Sequence, residues 1–342
     1  MAASIGGGLA VAFWILQRSG GSWASLLSLP WQAHLLAGSA AVVEVVARGS
    51  RVRFVASGLG QPLGLATSIR AQLAGDAVGA STPFRLGADA AKLTILNRGG
   101  VRAGMGGALL LAEMISEVVV LVTSAAIIAA FAVGTRWVAL GLLAYAVIVC
   151  SVGGAALLLA RTPERDEPPA AWTRLGLGLA RWTALASTLV EFRLNAGRLR
   201  RIRPRHATAV LAATVVHIGA RLMVLPALVL PVAAGPSVHG WADLILQPYF
   251  ILYATALLPP PGGGGGVEVV FAAMLGESLG GVALASTMVW WRVHTFYGVA
   301  AIGGLVLFLP RSRSALQRTP VDRRGSRREV GLPWAGNSHR SP

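Results

Sequence analysis

From Met105 to Phe131 the chain carries no charge other than Glu113 and Glu117, and from Trp137 to Ala160 it carries none. A helix rises about 1.5 Å per residue, so about 20 apolar residues match the hydrocarbon core of a bilayer. Two such runs joined by a short loop leave one economical solution, helices that cross a membrane. Further apolar runs follow the same rule at Trp31 to Ala47, Ala207 to Ala233, Leu244 to Leu258, Val267 to Leu284 and Ala285 to Leu309. Met1 to Leu16 is shorter and has no basic n-region, so it reads as a first span rather than a cleaved signal peptide. Only 13% of residues are charged, against about 25% in soluble domains. The expected fold is all-α: a polytopic membrane helix bundle with about seven to nine membrane-embedded helices.

The net charge of +16 comes almost wholly from arginine, since Lys92 is the one lysine. On a soluble chain this balance would suggest nucleic acid. Here the arginines lie between and after apolar spans, which the positive-inside rule and anionic lipid headgroups explain without nucleic acid. Arg48, Arg51 and Arg53 are read as the cytoplasmic end of the second span. The arginine-rich segments 48–53, 161–205 and 311–328 then share one side, and 133–136 and 234–243 the other. That predicts an inner-membrane protein with a cytoplasmic C-terminal tail. The division expected is a membrane domain over 1–309 and a basic, disordered tail over 310–342. The stretch 172–206 reads in part as an amphipathic surface helix, with a shallow span over Leu175 to Val190 as the alternative.

Phe54 to Gly104 fits no single span. Gly, Pro, Arg70, Asp76, Asp89 and Lys92 interrupt it, and a helical hairpin or re-entrant pair suits it better, because irregular backbone at membrane depth needs protein or water around it. Cys150 stands alone in an apolar run and supports neither a disulfide nor a cysteine metal site. His217, His239 and His294 have no metal-ligand spacing, and no nucleotide motif or nucleophile elbow is present. No cofactor is expected.

Two segments and one set of charges carry chemistry. Pro259-Pro260-Pro261 followed by Gly262 to Gly266 cannot continue a helix. The break predicts a new helix near Val267, with Glu268 in its electropositive first turn. Such a loop is either an interfacial connection with a capping glutamate or a place where free N–H groups hold a phosphate or carboxylate. Thr82-Pro83-Phe84-Arg85-Leu86-Gly87 leads to Asp89 and Lys92. It reads either as a cytoplasmic turn or as a phosphate site, with Asp89 capping or entering the first turn of a helix. Glu44, Glu113, Glu117, Arg221, Glu268 and Arg292 lie within apolar runs. A charge at the bilayer centre costs roughly 2.5–3.5 kcal/mol on insertion scales, so pairing or a wet cavity is implied. The pairs expected are Glu268 with Arg292, and Glu113 or Glu117 with Arg221. His294, two residues after Arg292, is a candidate for the same cavity.

These segments resemble the lysylphosphatidylglycerol synthase transmembrane-region family, whose members include flippase-like membrane proteins. The likeness rests on Pro259 to Val267 with Glu268, on Trp291-Arg292 and Tyr297, and on Thr82 to Lys92 followed by Glu113, and it covers roughly Trp31 to Leu309. The sequence departs from the family pattern at Met114 and Glu117 and in its five consecutive glycines. The resemblance implies the membrane part alone, without the soluble synthase domain of some relatives. It implies a non-enzymatic protein that handles an anionic phospholipid or a polyprenyl-linked lipid, possible rivals being an enzyme on a lipid phosphate and a non-transporting assembly subunit. The headgroup residues implied are Arg85, Asp89, Lys92, Glu113, Glu117, Arg221, Gly262, Gly263, Gly265, Glu268, Arg292 and Tyr297.

Overall fold

A computed structural model of the chain describes residues 2–131, 136–159, 161, 168, 173–174, 178–231, 238–254, 263–279 and 281–308. Every regular element among them is helical. In chain order they are α1 (Ala2–Ser19), α2 (Trp31–Gly58), α3 (Leu65–Ser81), α4 (Ala88–Arg98), α5 (Ala103–Phe131), α6 (Arg136–Leu159), α7 (Leu179–Leu199), α8 (Pro204–Val229), α9 (Val238–Ala254), α10 (Gly266–Leu279), α11 (Gly281–Arg292) and α12 (Gly298–Phe308). The chain divides into two compact units, Met1–Phe308 and Leu309–Pro342, and the second lies outside the described residues.

Among the described residues, four helical stretches are long and apolar enough to cross a membrane by length and composition: Ala103–Phe131, Arg136–Leu159, Pro204–Val229 and Ala283–Phe308. Their lipid-facing sides are populated by residues such as Ile127, Leu140, Val215 and Leu305, which are exposed in the isolated chain. Exposed apolar side chains in such numbers suit a hydrocarbon surround. The first charge-free stretch recognised in the sequence, α6, is the most apolar of the four.

α2 and α8 form the most extensive helix pair, and they run antiparallel. Gly58 meets Ile202 and His206, Glu44 meets His217, and Ala33 and Ala37 share a core with Leu225 and Leu228. Small residues on α2 let the two backbones approach, the usual device where no water drives helices together. Among the described residues, the three larger apolar cores lie around this pair. One joins α1, α2, α8, α10 and α11 through Leu16, Ala37, Leu228, Phe271 and Trp291. A second joins the far half of α2 to α3, α4 and α5 through Val55, Ala74, Leu96 and Leu109. The third joins α5, α6, α8 and α9 through Leu121, Leu142, Leu222 and Tyr253.

The stretch 54–104 is a hairpin, as the sequence predicts. α3 and α4 pack along each other, and Thr82 shapes the turn. Its hydroxyl donates to the Val78 carbonyl at 3.0 Å and accepts from the Gly87 N–H at 3.1 Å. Phe84 (φ +50°) and Arg85 (φ +58°) are both left-handed, a conformation non-glycine residues rarely take and which tends to occur at functional sites. α12 crosses α3 so closely at Gly303 that a Cβ there would run into the Leu73 carbonyl. α7 lies against α5, with Gly104 facing the Thr188 carbonyl and Glu191.

Two sequence expectations change. The last two spans do not divide at 284–285, because Ala283–Phe308 is one continuous helical stretch. Arg48 and Arg51 do not end a span. α2 runs on to Gly58, and both arginines are buried inside the bundle.

Candidate functional site

The polar residues enter the bundle as pairs spaced four apart, one pair per helix. α2 supplies Glu44 and Arg48, with Arg51 three further on. α3 supplies Gln72 and Asp76, α5 supplies Glu113 and Glu117, and α8 supplies His217 and Arg221. Residues four apart share one helix face, so each helix presents a single polar spot on an otherwise apolar surface. Packing α2, α3, α5 and α8 together brings the four spots to one place.

The contacts form two adjoining chains. In the first, Arg48 Nε lies 3.0 Å from Glu44, and the Arg48 fork grips Asp76 at 3.2 and 2.5 Å. Arg85 donates to Asp76 from the hairpin turn at 3.0 Å. His217 Nδ1 and Arg221 stand 3.3 and 3.8 Å from Glu44. In the second, Glu113 accepts from Gln72 at 2.5 Å and from Lys92 at 3.2 Å. Arg51 lies 3.5 Å from Glu113 and 3.4 Å from Glu117. Lys92 also stands 3.7 Å from Asp89, whose side chain is 64% exposed. Bidentate and shared pairing is what lets charges persist away from water.

A third group forms at the glycine break. Arg292 Nε donates to Glu268 at 2.8 Å, and the Tyr297 hydroxyl donates to the same oxygen at 3.2 Å. In an α-helix, residues five apart point about 140° away from each other. Here Val293–Tyr297 is a π turn, closed by the Gly298 N–H on the Val293 carbonyl, and its wider turn brings Arg292 and Tyr297 onto one carboxylate. α1 closes the group from the other side. A Cβ on Gly8 would stand 2.7 Å from the Tyr297 hydroxyl, and one on Gly7 would stand 3.0 Å from the Gly265 nitrogen. Gly263 and Gly265 take φ of +68° and +78°, which explains glycine at those two positions.

The expected Glu268–Arg292 pair is therefore present. The expected pairing of Glu113 or Glu117 with Arg221 is not. Arg51 and Lys92 take those carboxylates, and Arg221 turns to Glu44. Asp89 sits in the first turn of α4, but Gly87 occupies the cap. Gly262 and the prolines before it lie outside the described residues, as does His239's side chain. His294 is not among the residues lining the cavity. It packs 5.9 Å from His34 and against Trp290. Among the described residues no cluster of three or more His, Cys, Asp or Glu could hold a metal.

Sequence reasoning missed Arg48, Arg51, Gln72, Asp76, Gly7 and Gly8 as site residues. The four-residue spacing of Glu44–Arg48 and Gln72–Asp76 was a usable signal. The glycines gave none, because their importance depends on which helix lies against them.

All three groups border one cavity of about 390 Å³. Its lining carries the cations Arg48, Arg51, Arg85, Lys92, Arg221 and Arg292 together with the carboxylates Asp76, Asp89 and Glu117. The lining also includes apolar side chains, among them Val118, Leu121, Ile148, Val149, Val152 and Leu252. Glu44, Glu113 and Glu268 do not line the cavity; they hold the wall cations through ion pairs. The space thus offers an occupant both guanidinium and ammonium groups and hydrocarbon.

No curated protein matches the chain. Residues 1–303 match the family model described as the lysylphosphatidylglycerol synthase TM region. That match takes in α1, the hairpin, the charged face of α5 and the glycine break with its π turn, so the chain is a membrane protein that belongs to the lysylphosphatidylglycerol synthase transmembrane-region family.

Proposed function

We propose that this protein binds an anionic phospholipid or polyprenyl-linked lipid by its headgroup and moves it between the leaflets of the inner membrane, without chemical change to the lipid. One observation carries the reading: a single cavity is lined both by cationic and by apolar side chains. The cationic side chains suit a phosphate, since arginine forks hold phosphate oxygens in pairs. The apolar side chains suit the first part of an acyl or prenyl chain. Ile148 and Val152 of α6 line the cavity and are also open to the outside, which supports a lateral way out for that chain. The glycine break lies at the same cavity through Gly263, close to the α10 N-terminus, whose partial positive charge adds to that of the cations.

The test is leaflet exchange in proteoliposomes carrying tail-labelled anionic phospholipid, with mass spectrometry of the lipid afterwards. Faster exchange with the lipid mass unchanged supports the reading. A changed lipid mass with no exchange overturns it in favour of an enzyme. The same reading puts the arginine-rich segments 161–205 and 311–328 in the cytoplasm. Reporter fusions after Arg165 and Arg313 should report the cytoplasm, and a fusion after Ser237 the opposite side.

A further inference from the structure

The charges around the cavity balance before any ligand enters. Arg48, Arg51, Arg85, Lys92, Arg221 and Arg292 face Glu44, Asp76, Asp89, Glu113, Glu117 and Glu268, six against six. A phosphodiester headgroup brings one further negative charge. In a site surrounded by apolar helices that charge is poorly screened, so the site favours a partner of opposite sign arriving with it. No wall cation is spare, since each already has a carboxylate within 4 Å.

We propose that a proton accompanies the headgroup and that Glu117 receives it. This rests on the lipid-binding reading above and adds its coupling ion. The carboxylates are not equally able to take a proton. Asp76 is gripped by two arginines, Glu113 by Lys92, Gln72 and Arg51, and Glu268 by Arg292 and Tyr297. Glu44 lies among Arg48, His217 and Arg221, and Asp89 already reaches water. Glu117 differs. Among the described residues its ion-pair partner is Arg51 at 3.4 Å, and Arg51 is shared with Glu113. Its side chain is 25% exposed and lines the cavity itself.

The charged and titratable groups that act on Glu117 are Arg51 on α2, Lys92 on α4, Glu113 on its own helix, Tyr145 on α6, His217 and Arg221 on α8, and Tyr249 and Tyr253 on α9, while α7, which also packs on α5, brings Glu191 to the Gly104 end of that helix. A phosphate that settles on Arg51 and Arg221 takes over the positive charge that now keeps Glu117 ionised. The carboxylate then binds one proton from water, becoming a neutral acid. Site charge before and after binding is the same. On the opposite side of the cycle, loss of the proton returns Glu117 to Arg51 and helps expel the phosphate. The net result is one phosphodiester and one proton moving together.

Proton linkage is measurable without knowing the natural lipid. Purified full-length protein is titrated calorimetrically with a short-chain phosphatidylglycerol in buffers of different ionisation enthalpy. The expected result is about one proton taken up per lipid bound, with Kd rising about tenfold per pH unit where the linkage is complete. Whatever lipid Glu117→Gln binds should enter with proton uptake near zero and with a flat pH profile. Size-exclusion chromatography shows whether that variant is folded, and the wild-type proton count stands regardless of it. Wild-type binding with no proton uptake overturns the proposal while leaving lipid binding intact. Proton uptake that persists in a folded Glu117→Gln overturns the assignment to Glu117. Affinity that rises with sodium in place of protons overturns the choice of ion. No binding by the wild type overturns the lipid reading on which the proposal stands.

Discussion

The two charged regions of the cavity are built in different ways. On α2, α3, α5 and α8 the charges form chains in which most members touch two or more others. Asp76 is held by Arg48 and Arg85, and Glu113 by Lys92 and Arg51. At the glycine break one carboxylate meets one guanidinium and one phenol. Where a member has two partners, as Asp76 and Glu113 do, loss of one leaves the other. The second centres on one carboxylate and on a backbone shape, made from a π turn, two left-handed glycines and the close passage of α1. Redundancy comes cheaply from four-residue spacing on straight helices. A single well-placed pair needs the local backbone to be unusual.

That contrast can be broken by experiment, starting where the effect is largest. Arg292→Met leaves Glu268, 1% exposed, with Tyr297 as its remaining described partner. Stranding a buried charge costs about 3–5 kcal/mol, so a sharp fall in detergent melting temperature or in yield is expected. Glu268→Gln keeps an acceptor oxygen for Arg292, and should reduce lipid exchange more than it reduces yield. The double reversal, Glu268→Arg with Arg292→Glu, should not restore exchange, because the phosphate needs its cation on the cavity wall. Restored exchange in the double mutant would falsify a substrate role for the pair.

Arg48→Met should be milder, about 2–3 kcal/mol, although it removes contacts to two carboxylates. Glu44 keeps His217 and Arg221, and Asp76 keeps Arg85. A loss as large as that of Arg292→Met would show that the chain is not redundant. Gly265→Val forces a β-branched residue into φ +78° and should cost about 1–2 kcal/mol while disturbing Glu268 from below. Asp89→Asn is expected to do least. Its carboxylate is 3.7 Å from Lys92 and mostly exposed, and such pairs contribute about 0–1 kcal/mol. Thermal melts of the four variants in one detergent would rank them directly.

Much of this was legible along the chain. The uncharged run of α6 and the two-glutamate run of α5 fixed helices of membrane length, because hydrocarbon accepts few other backbone arrangements. Prolines and glycines from Pro259 to Gly266 announced a break, since neither residue type sustains a helix there. Glu268 and Arg292 were recognisable as a pair because each is a charge that an apolar run must neutralise. The hairpin over 54–104 was readable for the same reason, as a stretch too polar and too interrupted for one span.

Other features were decided only when the helices packed. Arg48 and Arg51 look like a cytoplasmic boundary in sequence, because arginines after an apolar run usually are one. They become buried wall residues because α3 and α5 bring Asp76, Glu113 and Glu117 within reach, and that depends on helix order in space. Arg221 lost its expected partners to Arg51 and Lys92 by the same geometry. Gly7 and Gly8 matter only because α1 crosses the glycine break, and the π turn that aligns Tyr297 with Arg292 leaves no mark in residue spacing. Sequence determined which charges had to be neutralised, since that follows from the cost of charge in hydrocarbon. Only the tertiary structure decided which partner does it, because ion pairing acts over a few ångströms and those distances are set by how helices meet.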